Sequence, residues 1–344
     1  MLIGIIGAGL AGLTAGHKLV KAGHDVIVFE KSRGFGGRLA TRYAGENHEI
    51  KFDHGIPHLS ADRPLFRGFI QELEEKGIVE YWTDSFNYWD GQMIHTKHPN
   101  IIGKKYYKAT DGMNQVGRYL SRWLEVRTNE KVIGFTYLGN KRRNKKPWML
   151  NFEDSSTVEV DAVIVATPAV QAYGLIENAQ DETVVRNVIR RIDTISYENA
   201  YSVMLTYNKA ETPEWNGITC KDEPIRWIGN ENKKRDNGEK LTLVLHSESN
   251  YAVKNINTPH EDVIQELAGS LRKIVGDWAG RFDEAQAHYW RYVQPRTFFE
   301  ESFVITGPED APLMLTGDYL GGKGTESAYE SGYKLAEKLI ENRK

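Results

Sequence analysis

Leu2-Ile3-Gly4-Ile5-Ile6-Gly7-Ala8-Gly9-Leu10-Ala11-Gly12 decides the fold of this 344-residue chain. The apolar run before Gly7 suits a buried parallel strand. Apolar residues then recur at helical spacing over 10–21, and Gly23 suits the helix end. Asp25-Val26-Ile27-Val28-Phe29-Glu30 is a second buried strand, completing a βαβ unit. Between strand and helix lies G-x-G-x-x-G, where a dinucleotide site needs it. Gly7 makes the tight turn, Gly9 lets backbone approach a pyrophosphate, and Gly12 permits close helix–strand packing. The first-turn N–H groups of the helix, with Ala8, Leu10 and Ala11 around them, face the phosphates. Glu30, 18 residues beyond Gly12, can accept hydrogen bonds from a ribose and disfavours a 2′-phosphate.

Outward from this unit the composition is that of a globular protein, 40% hydrophobic and 26% charged. The length suits two domains, or one with an inserted partner. A net charge of -3 gives no footprint for nucleic acid. The basic run 141–146 reads as a solvated hairpin tip. No apolar run reaches the roughly 18 residues of a membrane helix. The N-terminal stretch has no basic leader region, so it is expected to be mature structure in a cytoplasmic protein. The lone Cys220 excludes an intramolecular disulfide and a dithiol redox pair, so electrons must run through a cofactor.

Further along, helices are predicted over 65–76, 111–124, 261–274 and 325–342. Strands are predicted over 131–138, 148–152, 160–167 and 312–316. Alternating segments at 200–207 and 241–246 predict an antiparallel sheet with one exposed face. The fold expected is α/β: a Rossmann-type nucleotide-binding domain with an inserted, mainly antiparallel α+β substrate domain. Both are discontinuous, the first from 1–58, 104–172 and 287–344, the second from 59–103 and 173–286.

Glu30 is followed by Lys31-Ser32-Arg33-Gly34-Phe35-Gly36-Gly37-Arg38. An acid, a short spacer and G-G-R resemble the amine-oxidase-like branch of the glutathione-reductase-like flavoproteins. The resemblance implies a non-covalent FAD, with Gly37 and Arg38 closing over its phosphates. Ala166-Thr167-Pro168 resembles the family strand that ends in Ala-Thr, and Gly317-Asp318 the late motif whose aspartate binds the ribityl hydroxyls. Thr325, Glu326 and Ser327 would then open a helix toward the flavin ring and favour negative charge there. Lys31, Gly55, Ile56 and Val132 join the cofactor contacts on the same resemblance.

Gly37-Arg38-Leu39-Ala40-Thr41-Arg42, Phe52-Asp53-His54-Gly55, Asp111-Gly112-Met113-Asn114 and His288-Tyr289-Trp290-Arg291-Tyr292 are similar to the renalase-like FAD oxidoreductases. That implies hydride transfer from a dihydronicotinamide dinucleotide to flavin N5, with dioxygen as acceptor. Ile56-Pro57-His58 departs from the Ala-Gln-Tyr common in that family. His58, Trp290 and Tyr292 are the pocket candidates. Tyr88, Trp89, Tyr106, Tyr107 and Trp227 are further aromatic candidates, and Arg291 a candidate anion holder. His54, His58, His95 and His98 lack the supporting acids of a metal site, and no metal is expected. An amine oxidase, and a non-catalytic binding protein like the Rab GDP-dissociation inhibitors, are the competing readings. In every reading with catalysis the partner is a small molecule.

Overall fold

The computed structural model describes residues 1–101, 103–139, 146–177, 192–208 and 212–342. Its contacts divide the chain into two compact units, Met1–Arg38 with Val116–Tyr197 and Gln294–Lys344, and Leu39–Gln115 with Glu198–Val293. Segments 39–58 and 104–115, grouped by sequence with the nucleotide-binding domain, pack in the second unit, whereas 173–197 falls in the first.

The first unit is built on the N-terminal strand β1 (Leu2–Ile6), the helix α1 (Leu10–Lys21) and the strand β2 (Asp25–Glu30). β1 is central, parallel to β2 on one side and to Ala162–Val165 on the other. Glu125–Thr128 extends the sheet beyond β2 and Leu313–Leu315 beyond Ala162–Val165, both parallel. Val304–Thr306 closes that edge antiparallel. Ile3, Ile5, Val28, Ile164 and Leu313 are fully buried, as continuous apolar strands covered on both faces should be. Gly12 is required for this packing: a Cβ there would stand 2.2 Å from the Gly7 carbonyl oxygen. A separate antiparallel sheet of Val132–Tyr137, Trp148–Phe152 and Thr157–Val160 belongs to the same unit. The predicted strand 160–167 is shorter than expected, because Val160 and Ala162 go to different sheets. Most of the basic run 141–146 lies outside the described residues.

The second unit is dominated by a seven-stranded sheet. From one edge, it runs Glu284–Trp290, Ala200–Tyr207, Leu241–Ser247, Ile225–Asn230, Gly217–Cys220, Asn87–Trp89 and Ile94–His95. One face carries Tyr201, Val203, Leu205, Leu243 and Leu245 against the helix His260–Val275. That helix offers Val263, Leu267 and Leu271 at helical spacing, all fully buried. Each such side chain contributes about 1.5–3 kcal/mol by leaving water. The expectation of a solvated second face does not hold. Ser202, Met204, Val244 and His246 on that face are also buried. Ile50 and Phe52 pack on Met204 and Val244, and the loop that follows Phe52 covers the rest.

Candidate functional site

In the first unit the two glycine turns lie one on the other. The Gly36 N–H donates to the Ala8 carbonyl at 2.7 Å, and Gly9 and Gly36 form a parallel bridge. Glu30 organises this corner: one carboxylate oxygen accepts the Ala8 N–H at 3.0 Å, the other the Ser32 N–H at 2.9 Å. Each oxygen keeps a lone pair for a further donor. Asn129 and Glu130 hydrogen-bond back to Ser32 and Glu30, which brings the start of the Val132 strand beside the acid. Lys31 reaches Gln171 at 3.4 Å at the surface.

Arg38 and Asp318, 280 residues apart, meet at 2.5 Å. Asp318 is buried, while Arg38 remains a quarter exposed. Burial works against the guanidinium charge, but Asp318 outweighs it and raises Arg38 above its ordinary value. Tyr197 completes the group, its hydroxyl donating to Asp318 at 3.1 Å and accepting the Ala169 N–H at 3.1 Å. Burial first, then the adjacent carboxylate, push this phenol far up, so it stays a neutral donor. No motif singled out Tyr197.

These residues fit a flavin dinucleotide. α1 starts at Gly9 and the C-terminal helix Thr325–Glu341 at Gly324, and neither N-cap side chain closes the exposed N–H groups. A Cβ on Gly9 would meet nothing within 4 Å, so the backbone there is open to a bulky group. Among the described residues the buried hydroxyls of Thr167 and Ser327 have no partner. A phosphate suits the first helix end, and an electron-rich ring edge the second. Thr325 and Glu326 occupy the first turn of the same helix.

The second unit holds a different construction. Phe52-Asp53-His54-Gly55-Ile56-Pro57-His58 runs across the second face of the seven-stranded sheet. At one end the His54 ring sits 5.3 Å from His288 and 5.4 Å from Trp290, and Trp290 Nε1–H donates to the His54 carbonyl at 2.9 Å. At the other end His58 stacks on Phe86 at 5.0 Å and meets Tyr106 and Trp227 edge-on. Three strand spacings separate these ends, about 14 Å, which four extended residues span. Gly55 and Ile56 therefore bridge the face, and Gly55 N–H reaches the Ala40 carbonyl at 3.4 Å.

Asp53 anchors this loop. Its Oδ1 accepts Thr41 Oγ1–H at 2.8 Å and the Met113 N–H at 2.9 Å, while Oδ2 faces Lys234 at 3.5 Å and bonds Arg235. Glu231 accepts the Asp53 N–H at 3.0 Å and pairs with Lys234 at 2.6 Å and Arg235 at 2.9 Å. Two carboxylates thus balance two cations with nearly no exposure. Burial opposes the Asp53 charge, but Lys234 and Arg235 hold its carboxyl below the usual range.

The imidazoles above the sheet are uncharged at neutral pH. Burial comes first, followed by His288 and Arg42 at His54 and by Lys234 at His58, and pushes both down to about 3; burial and nearby cations lower His246 and His288 as well. Of the aromatic candidates, Trp290, Trp227 and Tyr106 join this face. Trp89 instead enters the core on the other face, and Tyr88 lies on His95 and His98 near the surface. Tyr107 meets Tyr81 edge-on. Tyr292 is half-buried two residues past the edge strand, and Arg291 is exposed, its carbonyl accepting Asn199 Nδ2–H. His95 is bonded to Asp90 at 2.6 Å.

Residues 5–73 match the NAD(P)-binding Rossmann-like domain, and 76–340, most of the chain, match the flavin containing amine oxidoreductase model. The chain belongs to the flavin-containing amine oxidoreductases. A flavin is accordingly the cofactor implied for it. Cyclohexylamine oxidase from Brevibacterium oxydans shares the fold over 99% of both chains, at a TM-score of 0.74 and 11% identity. Putrescine oxidase does so over 99% of both chains at 0.73 and 14%. An L-amino-acid oxidase of Trimeresurus stejnegeri is 22% identical over 71% of this chain and 46% of its own length. One from Siganus canaliculatus is 39% identical over 31% of this chain and 21% of its own. The chain thus spans under half the length of these two amino-acid oxidases. No helix among the described residues is long and apolar enough to cross a membrane.

Proposed function

We propose that this protein is an FAD-dependent oxidase acting on the C–N unit of a small amine-type substrate, with dioxygen as acceptor. The observation that carries the reading is the Arg38–Asp318–Tyr197 group, set among two helix starts with no side-chain cap, in a chain of the amine oxidoreductase family. Gly7 to Gly12, Glu30, Gly37, Arg38, Thr167, Asp318 and Ser327 would hold the cofactor without a covalent bond. FAD supplies the two-electron acceptor when bound. The protein's own part is orientation. Trp290 and Trp227 offer flat apolar surfaces, and His54 and His246, kept neutral by burial, can hydrogen-bond a substrate nitrogen in its uncharged form. As a functional division we propose 1–58, 104–172 and 287–344 for the cofactor part.

A second reading, renalase-like oxidation of a dihydronicotinamide, is favoured by the His288-to-Tyr292 stretch. A non-catalytic role is disfavoured by the same polar cradle. The deciding experiment is anaerobic mixing of the yellow protein with a simple amine, an L-amino acid and borohydride-reduced NAD, with NADH as control. Bleaching of the visible band by an amine or amino acid supports the proposal. Bleaching by the reduced-NAD isomers alone moves the assignment to the second reading, and no bleaching removes both.

A further inference from the structure

Two consecutive small residues of the C-terminal helix, Ser331 and Gly332, tie it to two other pieces of the first unit. Ser331 is fully buried. Its hydroxyl accepts the Gly317 N–H at 3.1 Å and lies 2.7 Å from the equally buried Thr316 Oγ1. The Thr316 N–H continues the parallel sheet past Leu315, bonding the Val165 carbonyl at 3.1 Å. Gly317 therefore offers the first N–H beyond that ladder, one residue before Asp318. A side chain of the helix, and not the sheet, takes it.

Gly332 makes the second tie. A Cβ there would stand 2.2 Å from the Ala11 carbonyl oxygen, a backbone atom in the first turn of α1. The C-terminal helix is thus pressed onto the end of α1 that starts at Gly9, an approach only glycine permits. The two ties lie six and seven residues past Thr325 in one continuous helix, so its uncapped start is carried by them. A helix end acts on a nearby charge only within about its first turn. Its effect on a flavin ring consequently depends on where that turn stands relative to the cofactor's other anchors, Asp318 and the start of α1.

We propose that Ser331 is a positioning residue of the flavin site: acting through the Gly317 N–H, it holds Asp318 in register with the start of the C-terminal helix. The inference rests on the FAD reading above and deepens it, because this register sets how strongly the helix start favours negative charge on the reduced ring. Cutting the tie loosens the register and makes the bound flavin harder to reduce. Loss of packing alone weakens both oxidation states together and leaves the potential where it was.

Ser331→Ala removes the hydroxyl, and Ser331→Cys replaces it with a weak acceptor of similar volume. Each variant is loaded with excess FAD, and its two-electron midpoint potential is read by reductive titration against a reference dye. Both potentials should fall by about 30 mV, a tenfold loss of preference for the reduced form. Thr316→Val is the control, since it cuts the hydroxyl pair but leaves the Gly317 N–H on Ser331. It should stay within about 10 mV of the unsubstituted protein, a twofold change. Unchanged potentials in both Ser331 variants, or a Thr316→Val shift as large as theirs, overturns the proposal. A protein that holds no FAD removes the cofactor reading and this inference together; one that holds FAD at a potential indifferent to Ser331 removes this inference alone.

Discussion

The two units place polar groups in opposite ways. Around Arg38 and Asp318 the groups are half-open, uncapped or short of partners, and much of the donor set is backbone. Around Asp53 the ions are sealed, with Asp53, Glu231 and Lys234 almost wholly inaccessible, and every charge faces an opposite one. The first arrangement is made to be completed by another molecule. The second is already complete, so its product is geometry: it pins the start of the loop that carries His54 and His58 across the sheet.

The largest expected effect breaks that difference from the sealed side. Asp53→Asn leaves Lys234 and Arg235 short of an anion and should cost about 3–5 kcal/mol of stability in urea denaturation. A loss under 1 kcal/mol would mean that the quartet is no anchor. Arg38→Met, on the open side, should weaken FAD by roughly 10- to 100-fold, the equivalent of one charge-assisted hydrogen bond. The readout is flavin fluorescence on dilution; unchanged retention would separate Arg38 from the cofactor.

Acid should affect the second unit before the first. His54 and His58 have folded-state values depressed to about 3, so the unfolded chain binds more protons between that value and its own, near 6.5. Stability is therefore full above the unfolded value and declines as pH falls toward 3. At pH 5 the loss should be about 2 kcal/mol for each such histidine. His54→Gln should remove its share of the slope, measured as denaturation midpoints from pH 7.5 to 5. The smallest effect sharpens the comparison: Tyr197→Phe removes a hydrogen bond from a neutral donor to the Asp318 carboxylate and the acceptor of the Ala169 N–H, about 1.5 kcal/mol. It should loosen FAD about tenfold and leave the pH slope unchanged.

The same contrast explains what was legible beforehand. The glycine turns, Glu30 and the strand before Thr167 are local patterns whose meaning lies in spacing, and the parallel sheet followed from them. The Asp53 quartet was not legible, because its partners lie 178 to 182 residues away. Glu231-Asn232-Lys233-Lys234-Arg235 reads as a solvated charge run, and only folding shows that Lys234 and Arg235 turn inward. Tyr197 gave no signal, being one tyrosine in a stretch without a motif. His58 was singled out because it departs from the family pattern, and it does lie on the histidine-rich face. The buried second face was missed because Ser202, Thr206 and His246 look like the polar half of an amphipathic strand.

The chain passes between its two compact units four times, at 38/39, 115/116, 197/198 and 293/294. β1 and β2 emerge from the ribosome well before Leu313–Leu315 and the helix Thr325–Glu341, which belong to the same unit. At 5–20 residues per second the interval is on the order of tens of seconds. Through that time the apolar N-terminal strands wait without their full cover. Biogenesis of this protein is thus a problem of delayed closure, slow by its non-local topology and open to chaperones.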